Sequence, residues 1–272
     1  DRLWDQVGEV GDFRMVPWIA PFLPAIRFWQ TTSAAFLPFS PQGIAAQLYS
    51  PYAFGTHWTN PLEPVVHDLD FAHVRADAGP KLFVSATNVR TGKIKVFAGA
   101  EIGPQALLAS ACLPTVFQTV EIDGEAYWDG GFSGNPALFP LYEPNLPDDI
   151  LVVSINPMRR DDIPDTPLEI QNRIDEISFN ASLLSELRAI NFVRRLIAEG
   201  RVEEGKMKAV NVHMISDDRL MNELSAESKL SPTPRLLERL KAAGRVAADH
   251  FLKNGGSKIG AAPSADLKAM LR

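Results

Sequence analysis

The 272-residue chain has a formal net charge of −6, with 46% apolar and 22% charged residues, the balance of a globular protein with a sizeable core. The acidic excess leaves no basic footprint, so no nucleic-acid partner is expected, and it weakly opposes docking on an anionic membrane. Cys112 is the only cysteine, which excludes an internal disulfide and a multi-cysteine zinc site and fits a reducing, cytoplasmic compartment. No apolar run is long enough to span a bilayer, and no signal-peptide pattern is visible.

Residues 1–10 (DRLWDQVGEV) read as the end of an amphipathic helix, with Leu3, Trp4 and Val7 on one face. Residues 13–64 are crowded with prolines, from Pro17 to Pro61, and with aromatics such as Trp18, Phe28, Trp29, Tyr49 and Trp58. Prolines at that density forbid a long regular helix. Short turns and loops are expected, either packed on the body of the domain or serving as a cap over a lipid site.

A strand-rich stretch follows. Residues 82–87 (LFVSAT) and 94–97 (IKVF) are strands joined by a turn at Thr91-Gly92. Residues 103–113 (GPQALLASACL) form a small-residue helix stopped by Pro114. Val120 to Ile122 and Glu125 to Trp128 flank Asp123-Gly124, the strongest two-residue hairpin signal in the chain. Residues 150–155 (ILVVSI) are a continuous apolar run, expected as a central strand buried on both faces.

The pattern then turns helical. Ile170, Ile174, Ile177, Ala181, Leu184, Leu187, Ile190 and Ile197 recur at helical spacing, so 168–199 is one long helix or two broken ones. Residues 209–215 (AVNVHMI) alternate and form a late strand. Residues 234–253 form a helix with Leu237, Leu240, Val246, Ala247 and Phe251 inward, ended by Gly255-Gly256. Strands interleaved with helices give an α/β fold class. The division expected is 1–160 as one part and 161–272 as a mostly helical extension packed on it.

The segment that carries chemistry is 124–138 (GEAYWDGGFSGNPAL). Asp129 ends a hairpin strand and is followed at once by Gly130 and Gly131. Two glycines let the backbone turn sharply, so the carboxylate can point into a cleft. Taken alone, Asp-Gly-Gly is more simply a β-turn aspartate bonded to its own backbone.

In context the segment resembles the Asp-Gly-Gly/Ala motif of bacterial patatin-like phospholipases. Residues 82–97 (LFVSATNVRTGKIKVF) are similar to that family's strand pair ahead of the active site, and 109–117 (ASACLPTVF) to its small-residue helix ending in proline. Residues 60–75 and 176–193 resemble segments of a subgroup with a helical C-terminal extension, which 206–272 continue. The resemblance implies a three-layer fold with a central, mostly parallel sheet flanked by helices. It also implies a serine–aspartate dyad without metal or other cofactor. In that dyad a serine in a Gly-x-Ser-x-Gly elbow attacks an ester, and the aspartate takes its proton directly. Asp129 is the expected general base, kept ionised by backbone amides, with Gly130 and Gly131 as its motif partners.

The sequence departs from the family in two respects. No Gly-x-Ser-x-Gly occurs in the 272 residues, and no glycine-rich oxyanion loop either. Ser133, in Gly131-Phe132-Ser133-Gly134-Asn135, follows the aspartate and reads as a loop residue. The chain begins at Asp1, and its Leu3-Trp4 helix looks like the one that follows the family's elbow. Three accounts are open: a cleaved protein whose N-terminal piece stays associated, a truncated or incompletely observed chain, or a member that has lost catalysis. The first two are favoured, because a fold without its first strand would expose core.

The histidines are scattered. His67 and His73, with Asp68 and Asp70 nearby, match no helical ligand pair and read as solvated loop residues, and His213 as a satisfied strand histidine. Cys112 reads as buried packing, residues 159–162 (RRDD) as a solvated loop, and the Asn180-Ala181-Ser182 sequon as incidental. The expected function is hydrolysis of acyl lipids or related esters, with peripheral membrane contact. The alternatives are a non-catalytic lipid-binding or scaffold protein, and acyl transfer or thioester hydrolysis on the same fold.

Overall fold

Two tight turns organise the first sheet. Asn88 Oδ1 accepts from the Thr91 N–H (2.9 Å) and from the Thr91 hydroxyl (3.0 Å), closing the loop between β1 (Phe83–Asn88) and β2 (Ile94–Ala98). Asp123 and Gly124, with φ of 53° and 78°, form the two-residue turn between β3 (Val120–Ile122) and β4 (Glu125–Asp129). The computed structural model describes residues 51–52, 60, 62–74, 79–114, 117–203, 205–224 and 233–271. The expected helix at 1–10, most of the 13–64 segment and His57 lie outside the described residues.

The sheet is antiparallel with strand order β2-β1-β4-β3, and Ala86 pairs with Asp129 across β1 and β4. One helix, α3 (Pro104–Ser110), packs on it, preceded in the chain by short helices α1 (Glu63–His67) and α2 (Phe71–Val74). Val84, Ala86, Phe97, Ile102, Ala106, Ala109 and Tyr127 form the core between them, with the Phe97 and Tyr127 rings edge-to-face at 5.5 Å.

A second unit pairs β5 (Asp149–Ser154) in parallel with β6 (Asn211–Ser216). The connection runs through α4 (Pro167–Ala198), a single unbroken helix. Its start is fixed by a capping box, in which Thr166 Oγ1 accepts from the Glu169 N–H and Glu169 reaches back to the Thr166 N–H. Helices α5 (Asp218–Glu223), α6 (Pro234–Asn254) and α7 (Leu267–Met270) follow. Leu138, Ile150 and Val152 share one core with Leu183, Leu187, Ile190, Val210, Val212 and Leu267, so this cluster joins residues from both sides of position 160. Parallel pairing among the described residues is confined to β5 and β6. In the larger sheet hairpin turns join β1 to β2 and β3 to β4, and the central β1–β4 pair is antiparallel as well.

The expectations for β5 and α6 change. β5 is not buried on both faces: Ile150 and Val152 are buried, while Leu151, Val153 and Ile155 are exposed. On α4 the buried apolar residues are Leu183, Leu187 and Ile190, whereas Ile170, Ile174 and Ile177 are exposed. On α6 only Phe251 is fully buried, and Val246 is exposed. The exposure of the first isoleucines on α4 has a cause. Its N-terminal half turns the Glu176 carboxylate inward, where Arg160 binds it through Nε (2.7 Å) and Nη2 (2.6 Å) and Arg173 adds a contact at 3.3 Å. Arg160 is therefore an anchor for α4 and not part of a solvated loop, while the neighbouring Arg159–Asp161 pair is exposed.

Candidate active site at Asp129

Asp129 is the last residue of β4, and its backbone is held on two sides. Its N–H donates to Cys112 O at 2.8 Å, just after α3, and its carbonyl accepts the Thr87 hydroxyl of β1 at 2.8 Å. The chain then turns through a short 3₁₀ helix, Gly130–Phe132.

Both glycines sit where a Cβ would collide with a neighbour. A Cβ on Gly130 would lie 2.3 Å from the Ser85 carbonyl oxygen, and one on Gly131 would lie 2.1 Å from Phe179 Cε1 and 2.9 Å from Asp129 Oδ1. The Gly131 N–H donates to Asp129 Oδ1 at 2.7 Å and fixes the plane of the carboxyl group. The carboxyl is half-buried. Burial pushes it above its ordinary value, and the Gly131 amide offsets this only in part. The Gly131 amide is the kind of backbone donor expected beside this carboxylate, and burial outweighs it.

The surrounding loop is tied to α4. Phe132 is exposed and sits 5.6 Å from the Phe179 ring, and the Asn135 N–H donates to Ser182 Oγ at 3.2 Å ahead of a cis Asn135–Pro136 bond. Ser133 Oγ lies 2.7 Å from Thr87 Oγ1. Because the Thr87 proton goes to Asp129 O, Ser133 must donate to Thr87, which fits a loop role. The sequon residue Asn180 is buried, with its amide donating to Pro157 O at 2.9 Å.

Cys112 is buried beside this site, its thiol donating to Gln118 O at 3.0 Å, and burial pushes its pKa up to about 11. That matches a packing residue rather than a nucleophile. His67 is exposed on α1, and His213 lies on β6, outside the Asp129 loop. No group of three or more His, Cys, Asp or Glu side chains able to hold a metal ion occurs among the described residues. Nor is any described helix long and apolar enough to cross a membrane.

Residues 20–142 match the family model described as patatin-like phospholipase. That segment belongs to the patatin-like phospholipase family. It contains β1 to β4, Asp129, Gly130 and Gly131, and it ends before β5. At the level of the family it is sequence of lipid acyl hydrolases. No curated protein matches the chain.

Proposed function

We propose that the protein is a lipid acyl hydrolase in which Asp129 is the general base of a serine–aspartate dyad. The observation that carries this reading is a half-buried carboxyl at a strand end, clamped by the Gly131 amide and raised above its ordinary value. A raised carboxylate is a better proton acceptor than a solvated one. No Gly-x-Ser-x-Gly occurs in the 272 residues. The reading therefore takes the serine from an upstream or associated segment, and with it the remaining strands of a three-layer patatin-type sheet. The absence of a serine elbow also leaves a second reading, a non-catalytic lipid-binding protein of the same fold.

In the proposed reaction the serine hydroxyl forms a bond to the ester carbonyl carbon while Asp129 takes its proton. The tetrahedral intermediate expels the alcohol, which receives that proton. Water then attacks the acyl-enzyme, again giving its proton to Asp129, and the free acid leaves. Gly130 and Gly131 keep the strand–turn tight, so that the carboxyl stays at the cleft wall. A fluorophosphonate applied to the native protein, including any upstream or associated segment, tests the dyad. The expected adduct is on a serine within Gly-x-Ser-x-Gly and is lost in Asp129→Asn. A native protein with no such adduct is a binding protein and not this hydrolase.

A further inference from the structure

His213 plays no part in the Asp129 site, yet it is placed with care. It is 1% exposed, and both ring nitrogens meet side chains from distant segments. Nε2 lies 2.8 Å from Asp149 Oδ1 and Nδ1 lies 2.9 Å from Ser264 Oγ. The parallel register sets Asp149 opposite Asn211, two residues before His213, so the carboxylate and the ring share one face of the β5–β6 pair. Ser264 is delivered by the segment before α7, where the Ala265 N–H donates to Val212 O at 3.1 Å. Phe251 of α6 meets the imidazole edge-to-face at 6.0 Å.

The protons follow from the partners. Asp149 accepts from His213, and hydrogen bonds from the Gly260 backbone and the Asn211 side chain add to it, holding its carboxyl below its ordinary value. Arg194 donates to Asn211 Oδ1 at 2.8 Å, which turns the Asn211 amide group to its donor role toward Asp149. A carboxylate can only accept, so Nε2 carries a hydrogen. In the neutral ring Nδ1 is then a bare acceptor, and the Ser264 hydroxyl donates to it. That is the polarity of a hydroxyl paired with its general base.

Ser264 also lines a cavity of about 480 Å³ between β6 and α6, together with Met214, Ile215, Val246, Phe251 and Lys258. Cavities of roughly 300–1,000 Å³ hold small molecules. A histidine kept only for packing needs two hydrogen-bond partners, but neither of them needs to face a cavity.

We propose that Ser264, His213 and Asp149 form a second nucleophilic site, independent of Asp129, that accepts small carboxylic esters in this cavity. Ser264 Oγ bonds to the carbonyl carbon and its proton passes to Nδ1, with Asp149 stabilising the imidazolium. The ester C–O bond breaks, and the departing alkoxide takes the proton from Nδ1. Water reverses the sequence and releases the acid. Lys258 and Asp217 also line the cavity, and Val246, Ile215 and Phe251 offer apolar surface to the acyl chain.

The test is a short-chain alkyl fluorophosphonate applied to the native protein, with the adduct mapped by peptide mass spectrometry. A phosphonyl adduct on Ser264 is expected, present also in Asp129→Asn and absent in Ser264→Ala. In Asp149→Asn, with a native circular dichroism spectrum, the labelling rate should fall at least about tenfold. Ser264 left unmodified in folded protein overturns the proposal, whatever other serine is labelled. So does an unchanged rate in Asp149→Asn. Neither result bears on the Asp129 dyad, whose adduct falls on a different peptide.

Discussion

Gly130→Ala is the substitution for which the structure sets the sharpest cost. The new Cβ would sit 2.3 Å from the Ser85 carbonyl oxygen, 2.6 Å from Ser85 Oγ and 2.8 Å from Ser85 C, whereas ordinary contact begins at 3.4 Å. Relief requires a displacement of about 1 Å. The nearest obstacle is backbone in β1, which is paired to both β2 and β4, so it cannot move without straining two ladders. Overpacking of this kind costs typically about 1–3 kcal/mol, and the upper end applies where backbone must shift. Gly131→Ala meets a nominally closer atom, Phe179 Cε1 at 2.1 Å, but that is a side-chain ring on the half-buried side of α4 and can swing aside. Gly130→Ala should therefore lose about 2–3 kcal/mol in urea or guanidinium unfolding, and Gly131→Ala less. Equal stability of Gly130→Ala and wild type, or a reversed order of the two variants, would refute the packing argument.

Other consequences are open to measurement. Because burial raises the Asp129 carboxyl in the folded state, its ionisation opposes folding. That cost is absent below the unfolded value of about 3.9 and develops as pH rises through the folded value. Asp129→Asn should gain stability relative to wild type from acid to neutral pH, read from unfolding curves at several pH values; a loss over that range would contradict the sign. Arg160→Met removes the two-pronged arginine contact from the buried Glu176 carboxylate, and a cost of about 2–4 kcal/mol is expected. A change below about 0.5 kcal/mol would show that the pair does not anchor α4. Cys112, buried with its pKa pushed up to about 11, should react with iodoacetamide at pH 8 far more slowly in native than in unfolded protein.

Where structure is local, the sequence is enough to read it. The turns at Asn88–Gly92 and Asp123–Gly124 close over a few residues, and the strands they join appear where alternation places them. Asp129 is legible for a related reason, since the strand end and the two glycines that shape its turn are contiguous. Burial is less legible, because an apolar run does not say which face will be covered. β5 reads as doubly buried, yet one face carries exposed Leu151, Val153 and Ile155. On α4 the apolar period marks the helix but not its buried side, because a carboxylate at Glu176 takes an inward position and is satisfied by an arginine 16 residues away. The His213 cluster is illegible in the chain. Its partners lie 51 and 64 residues distant, and only the parallel β5–β6 register brings them together.

In the proposed reaction Asp129 moves the proton in ester cleavage. The direct measurement is kcat/KM for a panel of phospholipid, lysophospholipid and simple acyl esters, comparing native protein with Asp129→Asn of equal or higher folding stability. A general base of this kind is worth about 10²–10⁴-fold, and a loss of that size is the expected result. Activity within about tenfold of wild type in a folded Asp129→Asn protein would contradict the claim.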